Sequence, residues 1–408
     1  MKQKMQSEVK LTFVDRLRIM RETKFGTFVP GLLALAAIWT YFGLAVPLYE
    51  YLSDPSAEEI RYIFIRPRNI YNLFMQSAVI ATLAVGITIV LLLVDIDLSA
   101  AATAGVCVAL LGVLVLAGVP GWLACLIVIA VGAVMGAAQG LLVAYVGIPS
   151  FVVTLAGLLG YQGLMQKILP TGNLNVGDPF VRAIARVLLP DFWGLVIAAL
   201  LVVFVAAMAL RRQAQRKALH LELDSNATLW GQVAFFACLI FAAVLTMNAY
   251  RSLPLLILLL MALIGWITTS TPYGRSIFAV GGNAESARRV GMDVKRIRVS
   301  AFAIVGILAA IGGIFGASRF GSVSYTAFAG GSLLLESIGA AVIGGTSLFG
   351  GQGSVWNAIL GALVIGSLGN GLDLSGASAA DKLMFSRAIL LLAVATDAVS
   401  RSGNVSGR

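Results

Sequence analysis

Eleven stretches of this sequence are apolar and long enough to cross a hydrocarbon core of ~30 Å. They lie near 28–48, 76–94, 98–118, 121–145, 149–168, 192–210, 229–247, 253–269, 300–318, 355–372 and 384–399. A chain built this way must close its own backbone hydrogen bonds inside lipid, and for segments of this length that means helices. A twelfth piece, 333–348, is shorter and glycine-rich, and reads as a span or as a re-entrant helix. With 59% apolar residues, 12% charged residues and 44 glycines in 408, the composition exceeds the apolar content of soluble domains and lacks the charge to cover one. The expected fold is all-α: a polytopic integral membrane protein with about 10–12 transmembrane helices.

The cations orient it. Counting 333–348 as a span puts both termini on one side. That side carries seven Lys/Arg in 1–27, four in 211–228, six in the segment from Arg275 to Arg298 and two in the tail, nineteen of the 29. Both termini are therefore expected in the cytoplasm. Arg61, Arg66 and Arg68 fall on the other side, so 51–73 reads as an interfacial segment with Tyr62 and Tyr71 at headgroup level. The layout is a cytoplasmic segment 1–27, one membrane domain 28–399 with cytoplasmic loops 211–228 and 271–299, and a tail 400–408. The net charge of +10 is scattered through short loops beside apolar spans. That points to anionic headgroups and an acidic partner surface rather than nucleic acid.

Several chemistries are excluded. No Gly-Lys pair occurs, so there is no P-loop, and any ATP must be used by another subunit. The only histidine, His220, lies in a loop, which removes an HExxH metalloprotease and leaves any intramembrane serine without a base. The GxSx strings at Ser347 and Ser378 read as packing or loop serines. Cys107, Cys125 and Cys238 fall inside spans and indicate neither a disulfide nor a metal site.

Between two apolar spans lies Gly281 to Arg298, GGNAESARRVGMDVKRIR, with five cations and two acids. Asn283 can cap a short helix, Glu285 sits in its first turn, Arg288 and Arg289 in its last, and Gly291 permits the left-handed residue that ends it. Ala284 to Val290 is expected to be a two-turn helix outside the bilayer. A plain basic loop obeying the positive-inside rule fits these residues as well.

Two further features stand out. Asp95-Ile96-Asp97-Leu98-Ser99 sets two carboxylates between apolar runs. It reads as a solvated turn with Asp97 or Ser99 capping the next helix, as the lining of a pathway, or as both. Glycines crowd Gly330 to Gly371, and Gly132, Gly136 and Gly140 make one smooth helix face, suited to tight packing or a subunit contact.

The phrases GLLVAYVGIPSFVVTLAGLL (140–159), TPYGRSIFAVGGNAESARRVGMDVKRIRVSAF (271–302), LLLESIGAAVIGGTSLFGGQGSVWNAILGALVIGSLGNGLDLSGAS (333–378) and DIDLS (95–99) resemble the permeases of bacterial ATP-binding cassette importers for monosaccharides, over about Phe64 to Asp397. The resemblance is closest to the xylose type, because an extra pair of crossings surrounds the basic loop 209–230. It implies that Gly281, Gly282, Asn283, Glu285, Ala287, Arg288, Arg289 and Gly291 form a coupling helix docked on a separate ATPase. It also implies a periplasmic sugar-binding protein, a second permease copy, and no cofactor in this chain, ATP and Mg being bound by the ATPase partner. Asp97, Ser99, Asn357 and Asn370 are the candidate pore-lining polar residues. Asp95 departs from the glycine common in relatives. The alternatives are another substrate of the same importers (ribose, arabinose, a nucleoside) or an ion-coupled secondary transporter.

Overall fold

The computed structural model describes residues 29–53, 60–186, 191–218 and 253–378, less 330, 348 and 349, with scattered positions in 230–237 and 380–391. Outside the described residues lie 1–27, most of 211–228 with His220, most of the spans expected at 229–247 and 384–399 with Cys238, and the tail.

Helices dominate, as the apolar stretches require. The first, α1, is Val29–Thr40 continued through a π turn, Tyr41–Ala45, into Val46–Ser53. Then come α2 (Pro67–Leu92), α3 (Ala100–Leu116), α4 (Gly121–Leu141, extended by a π turn Leu142–Val146) and α5 (Ser150–Ile168). A three-residue strand β1 (Asn173–Asn175) precedes α6 (Pro179–Arg186), α7 (Asp191–Ala218) and α8 (Leu253–Ser270). After α9 (Pro272–Gly282) and α10 (Ala284–Arg289) comes the long α11 (Val294–Phe320). The remainder is β2 (Ser322–Ser324), α12 (Tyr325–Ala329), α13 (Ser332–Ile343) and α14 (Val355–Leu374).

The bundle has two ends. At one, β1 and β2 pair antiparallel with Leu174 opposite Val323, and α11 stops at Gly321 with φ 68°. At the other lie α10 and the start of α11. Six described helices are long and apolar enough to span a membrane, and this is a multi-pass membrane protein. Burial separates the inner helices from the outer ones: 94% of the most apolar stretch of α2 is buried, against 22% for α1 and 12% for α7. At the centre are side chains of α2 such as Leu83, Ile87 and Leu91, with Phe302 of α11.

The glycine face on α4 serves packing within the chain. A Cβ on Gly132 would overlap the Gly306 carbonyl of α11, one on Gly136 the Phe302 carbonyl, and one on Gly140 would come within 2.8 Å of the Val299 Cα. The two helices touch backbone to backbone, so no room remains there for a second subunit.

One expectation is corrected, and two are made more definite. Residues 67–73 belong to α2, since Pro67 fits a first helical turn and Arg66 before it is extended. Tyr71 is buried in the core instead of lying at a headgroup. The loop 271–299 is largely helical, because Thr271 caps an additional helix, α9, by accepting from the Gly274 N–H at 3.2 Å. The piece 333–348 holds the twelve-residue apolar helix α13, shorter by itself than a membrane crossing needs. α13 starts close to β2, and the loop after it reaches the α10 end, where the Gly351 N–H donates to the Leu92 carbonyl at 3.1 Å.

Candidate functional site

Local rules build α10. The Asn283 side chain accepts from the Ser286 N–H at 2.8 Å, and Glu285 in the first turn pairs with Arg288 at 3.3 Å and Arg289 at 3.5 Å. At its other end Gly291, at φ 86°, donates to Arg288 O and Met292 donates to Ala287 O. These are the two bonds of a Schellman cap. Ala287 is the buried anchor, while Glu285, Arg288, Arg289 and Val290 stay exposed. One charged face and an apolar tip therefore point away from the bundle.

The base of α10 is fixed by backbone contact. A Cβ on Gly281 would overlap the Leu92 carbonyl at the end of α2, whereas Gly282 has open space beside it. Gly350, at φ 81°, lies under Val94, where a Cβ would overlap that side chain. Asp293 then caps α11 by accepting from the Arg296 N–H at 3.0 Å. The cations that follow all have partners: Lys295 over the Tyr145 ring at 4.9 Å, Arg296 to Asp293 at 2.9 Å, and Arg298 to Asp95 at 3.2 Å.

The polar residues of the turn between α2 and α3 are buried, although Val94 is half exposed, which removes the solvated version of that expectation. Asp97 is 3% exposed and Ser99 is fully enclosed. Asp97 accepts from both the Ser99 N–H and the Ser99 hydroxyl at 2.7 Å, so it organises the start of α3, and Gln139 of α4 donates to the Ser99 hydroxyl at 2.9 Å. Burial pushes the Asp95 carboxyl up from its ordinary range, against the pull of Arg298 and the Ser150 hydroxyl.

The other two polar candidates sit apart. Asn357, in the first turn of α14, is 1% exposed, and neither of its amide atoms has a hydrogen-bond partner. Asn370 is thirteen residues further along the same helix, roughly 20 Å away. It exchanges two bonds with Asn69 of α2, at 2.7 and 3.1 Å. The structure thus gathers Gly281 to Gly291, Asp97 and Ser99 towards one end and puts Asn370 towards the other. Sequence reasoning missed the partners of Asp95 and Asn370, both far away along the chain.

The serine strings behave as loop residues. The Ser347 N–H donates to the Gln352 carbonyl, and Ser378 forms a reciprocal cap with Asp381. Among the described residues no group of three or more His, Cys, Asp or Glu could hold a metal.

A family described as "Branched-chain amino acid transport system / permease component" matches residues 69–394. The chain is 36% identical over 345 residues to the xylose transport system permease protein XylH of Escherichia coli (strain K12), covering 83% of this chain and 86% of that protein. It is 31% identical over 373 residues to XylH of Haemophilus influenzae, 90% of this chain and 94% of the relative. To the ribose import permease protein RbsC of the same organism it is 29% identical over 335 residues, 82% and 86% of the two chains. No solved structure matches it.

Proposed function

Because this chain belongs to the permease family of sugar ABC importers, we propose that it forms the membrane path of an ATP-driven monosaccharide importer, with D-xylose as substrate. The chain is a transport component and not an enzyme. The observation that carries the proposal is α10: a helix capped at both ends, anchored by one buried alanine, and projecting Glu285, Arg288, Arg289 and Val290 outward. Such a helix suits the groove of a separate ATPase, which binds the ATP and Mg. A periplasmic sugar-binding protein delivers the substrate, and a second copy of the chain completes the pore.

In this account the α10 end, residues 1–27 and the tail 400–408 face the cytoplasm, residues 28–399 form one domain, and the protein sits in the bacterial inner membrane. ATP binding draws two ATPases together and α10 follows. Its base is packed against the Leu92 carbonyl, so the end of α2 follows too, and the path between the two permeases changes its open side. Contacts to sugar in such a path need only be weak, because a tight site slows release. Asp97, Ser99, Asn357 and Asn370 remain the proposed polar lining. Asn357 has the one amide of the four residues with no hydrogen-bond partner, and being 1% exposed it meets a sugar hydroxyl only when the path opens beside it.

A secondary transporter needs carboxylates free to take up and release protons. Here Asp95 is paired with Arg298, Asp373 with Lys382, and Asp97 is held by Ser99 at the start of α3, which leaves Glu336 of α13 as the carboxylate that reading would have to use. The test is reconstitution of the chain with its ATPase and binding protein, offering labelled xylose, ribose and arabinose. Uptake that requires ATP and favours xylose supports the proposal. Accumulation of sugar by the chain alone on a proton gradient contradicts it, and preference for another sugar keeps the importer while replacing the substrate.

A further inference from the structure

The turn from Leu93 to Ser99 is a meeting point for several parts of the chain. From α5, the Ser150 hydroxyl accepts from the Ile96 N–H at 3.1 Å and the Thr154 hydroxyl donates to the Ile96 carbonyl at 3.0 Å. From the glycine-rich loop, Gly351 donates to Leu92 O and Gly350 lies under Val94. These ties use neutral groups. The charged one is Asp95 to Arg298, a charge contact with Oδ2 and Nε 3.2 Å apart but not aligned as a hydrogen bond, the Asp95 side chain being 7% exposed and that of Arg298 30%.

Two details make this pair more than a surface contact. Arg298 stands in the second turn of α11, nine residues after Arg289 at the end of α10 and joined to it by the Gly291 turn and the Asp293 cap. A displacement of α10 therefore reaches Arg298 through one short, capped connection. On the other side, Val94 holds φ 66°, a left-handed conformation that a β-branched residue adopts only when its surroundings force it. Asp95 is thus clamped between a strained residue seated on Gly350 and the guanidinium from α11. Asp95 lies two residues before Asp97 and four before Ser99, so a pull on it acts on the turn that carries both.

We propose that the Asp95–Arg298 ion pair is a positioning link that, beside the Gly281–Leu92 contact, carries movement of α10 and the start of α11 into the α2–α3 turn. Neither residue touches sugar or ATP. Their task is to keep the two segments moving together, so that work done on α10 changes the membrane path and is not lost as local bending. The inference rests on the proposed docking of an ATPase at α10.

The experiment uses the complete importer in proteoliposomes, with phosphate release and accumulation of labelled xylose, ribose or arabinose measured in one preparation. Asp95→Asn and Arg298→Gln are compared with wild type and with the exchange Asp95→Arg/Arg298→Asp. Each single variant is expected to co-purify with the ATPase and to hydrolyse ATP, while sugar moved per ATP falls by about fivefold or more. The exchange is expected to restore that ratio. A wild-type ratio in both single variants overturns the proposal. So does an exchange variant that folds and binds the ATPase yet recovers nothing, and so do single variants that lose ATPase binding and folded yield in step, since that is a structural pair only. Failure of the docking reading looks different: wild-type chain that neither co-purifies with the ATPase nor needs ATP for uptake.

Discussion

The carbonyl oxygen of Leu92, the last residue of α2, occupies the space a Cβ on Gly281 would need. That contact joins the most buried membrane helix to the root of the exposed helix α10, backbone against backbone, with no side chain between them to absorb a shift.

It follows that Gly281→Ala and Gly282→Ala should behave very differently although the residues are neighbours. The first forces the backbone apart and is expected to destabilise by ~1–3 kcal/mol, the usual range for overpacking. The second enters open space at the end of α9, where alanine is favoured in a helix by up to ~1 kcal/mol, and should be neutral or better. Thermal unfolding of the purified variants in detergent checks this. Equal melting temperatures would mean the two segments are not in contact.

At the opposite end, Asn69 and Asn370 satisfy one another inside the protein. Asn370→Ala should cost ~1–3 kcal/mol by leaving a buried amide alone, and adding Asn69→Ala should cost less than the sum of the two single changes. The measurement is a double-mutant cycle on unfolding, with the KM for sugar recorded alongside. A shift in KM beside the loss of stability would support Asn370 as part of the path's lining, and an unchanged KM would leave it a packing residue only.

Orientation can be read directly. Cysteines placed at Ser286 in α10 and at Ala214 near the end of α7 should react only with reagents that reach the cytoplasm. Modification of either site by an impermeant reagent in intact cells reverses the topology, and the docking proposal falls with it.

What the sequence revealed and what it hid divide along physical lines. Asn283, Glu285 and Gly291 act through rules spanning three or four residues, so the cap, the charge placement and the left-handed stop of α10 were all legible. Six of the expected spans recur as described helices long and apolar enough to cross a membrane, legible because lipid demands length and apolarity. Asp95 and Arg298, 203 residues apart, meet only because α2 and α11 pack together, and nothing local marks them as partners. Asn370 is a pore candidate because an amide in an apolar run needs some partner, and the sequence does not say that Asn69 supplies one. Tyr71 was misplaced for a related reason: Arg66, Arg68 and Asn72 around it are exposed and resemble an interface, yet the helical turn puts Tyr71 on the inward side with Asn69 and Leu73.

Whether α10 engages an ATPase is the centre of the account. The variant Glu285→Lys/Arg288→Glu puts the wrong charges on an exposed helix, where folding should change by no more than ~0.5 kcal/mol for each substitution. Expression and membrane insertion should be unaffected. Pulling down the variant with its ATPase, and measuring uptake of labelled xylose, ribose and arabinose by the same cells, gives the decisive readout. The account predicts that co-purification and uptake fall together while the chain remains folded. Co-purification and uptake at wild-type levels would contradict it and leave Gly281 to Arg298 as a basic loop that merely obeys the positive-inside rule.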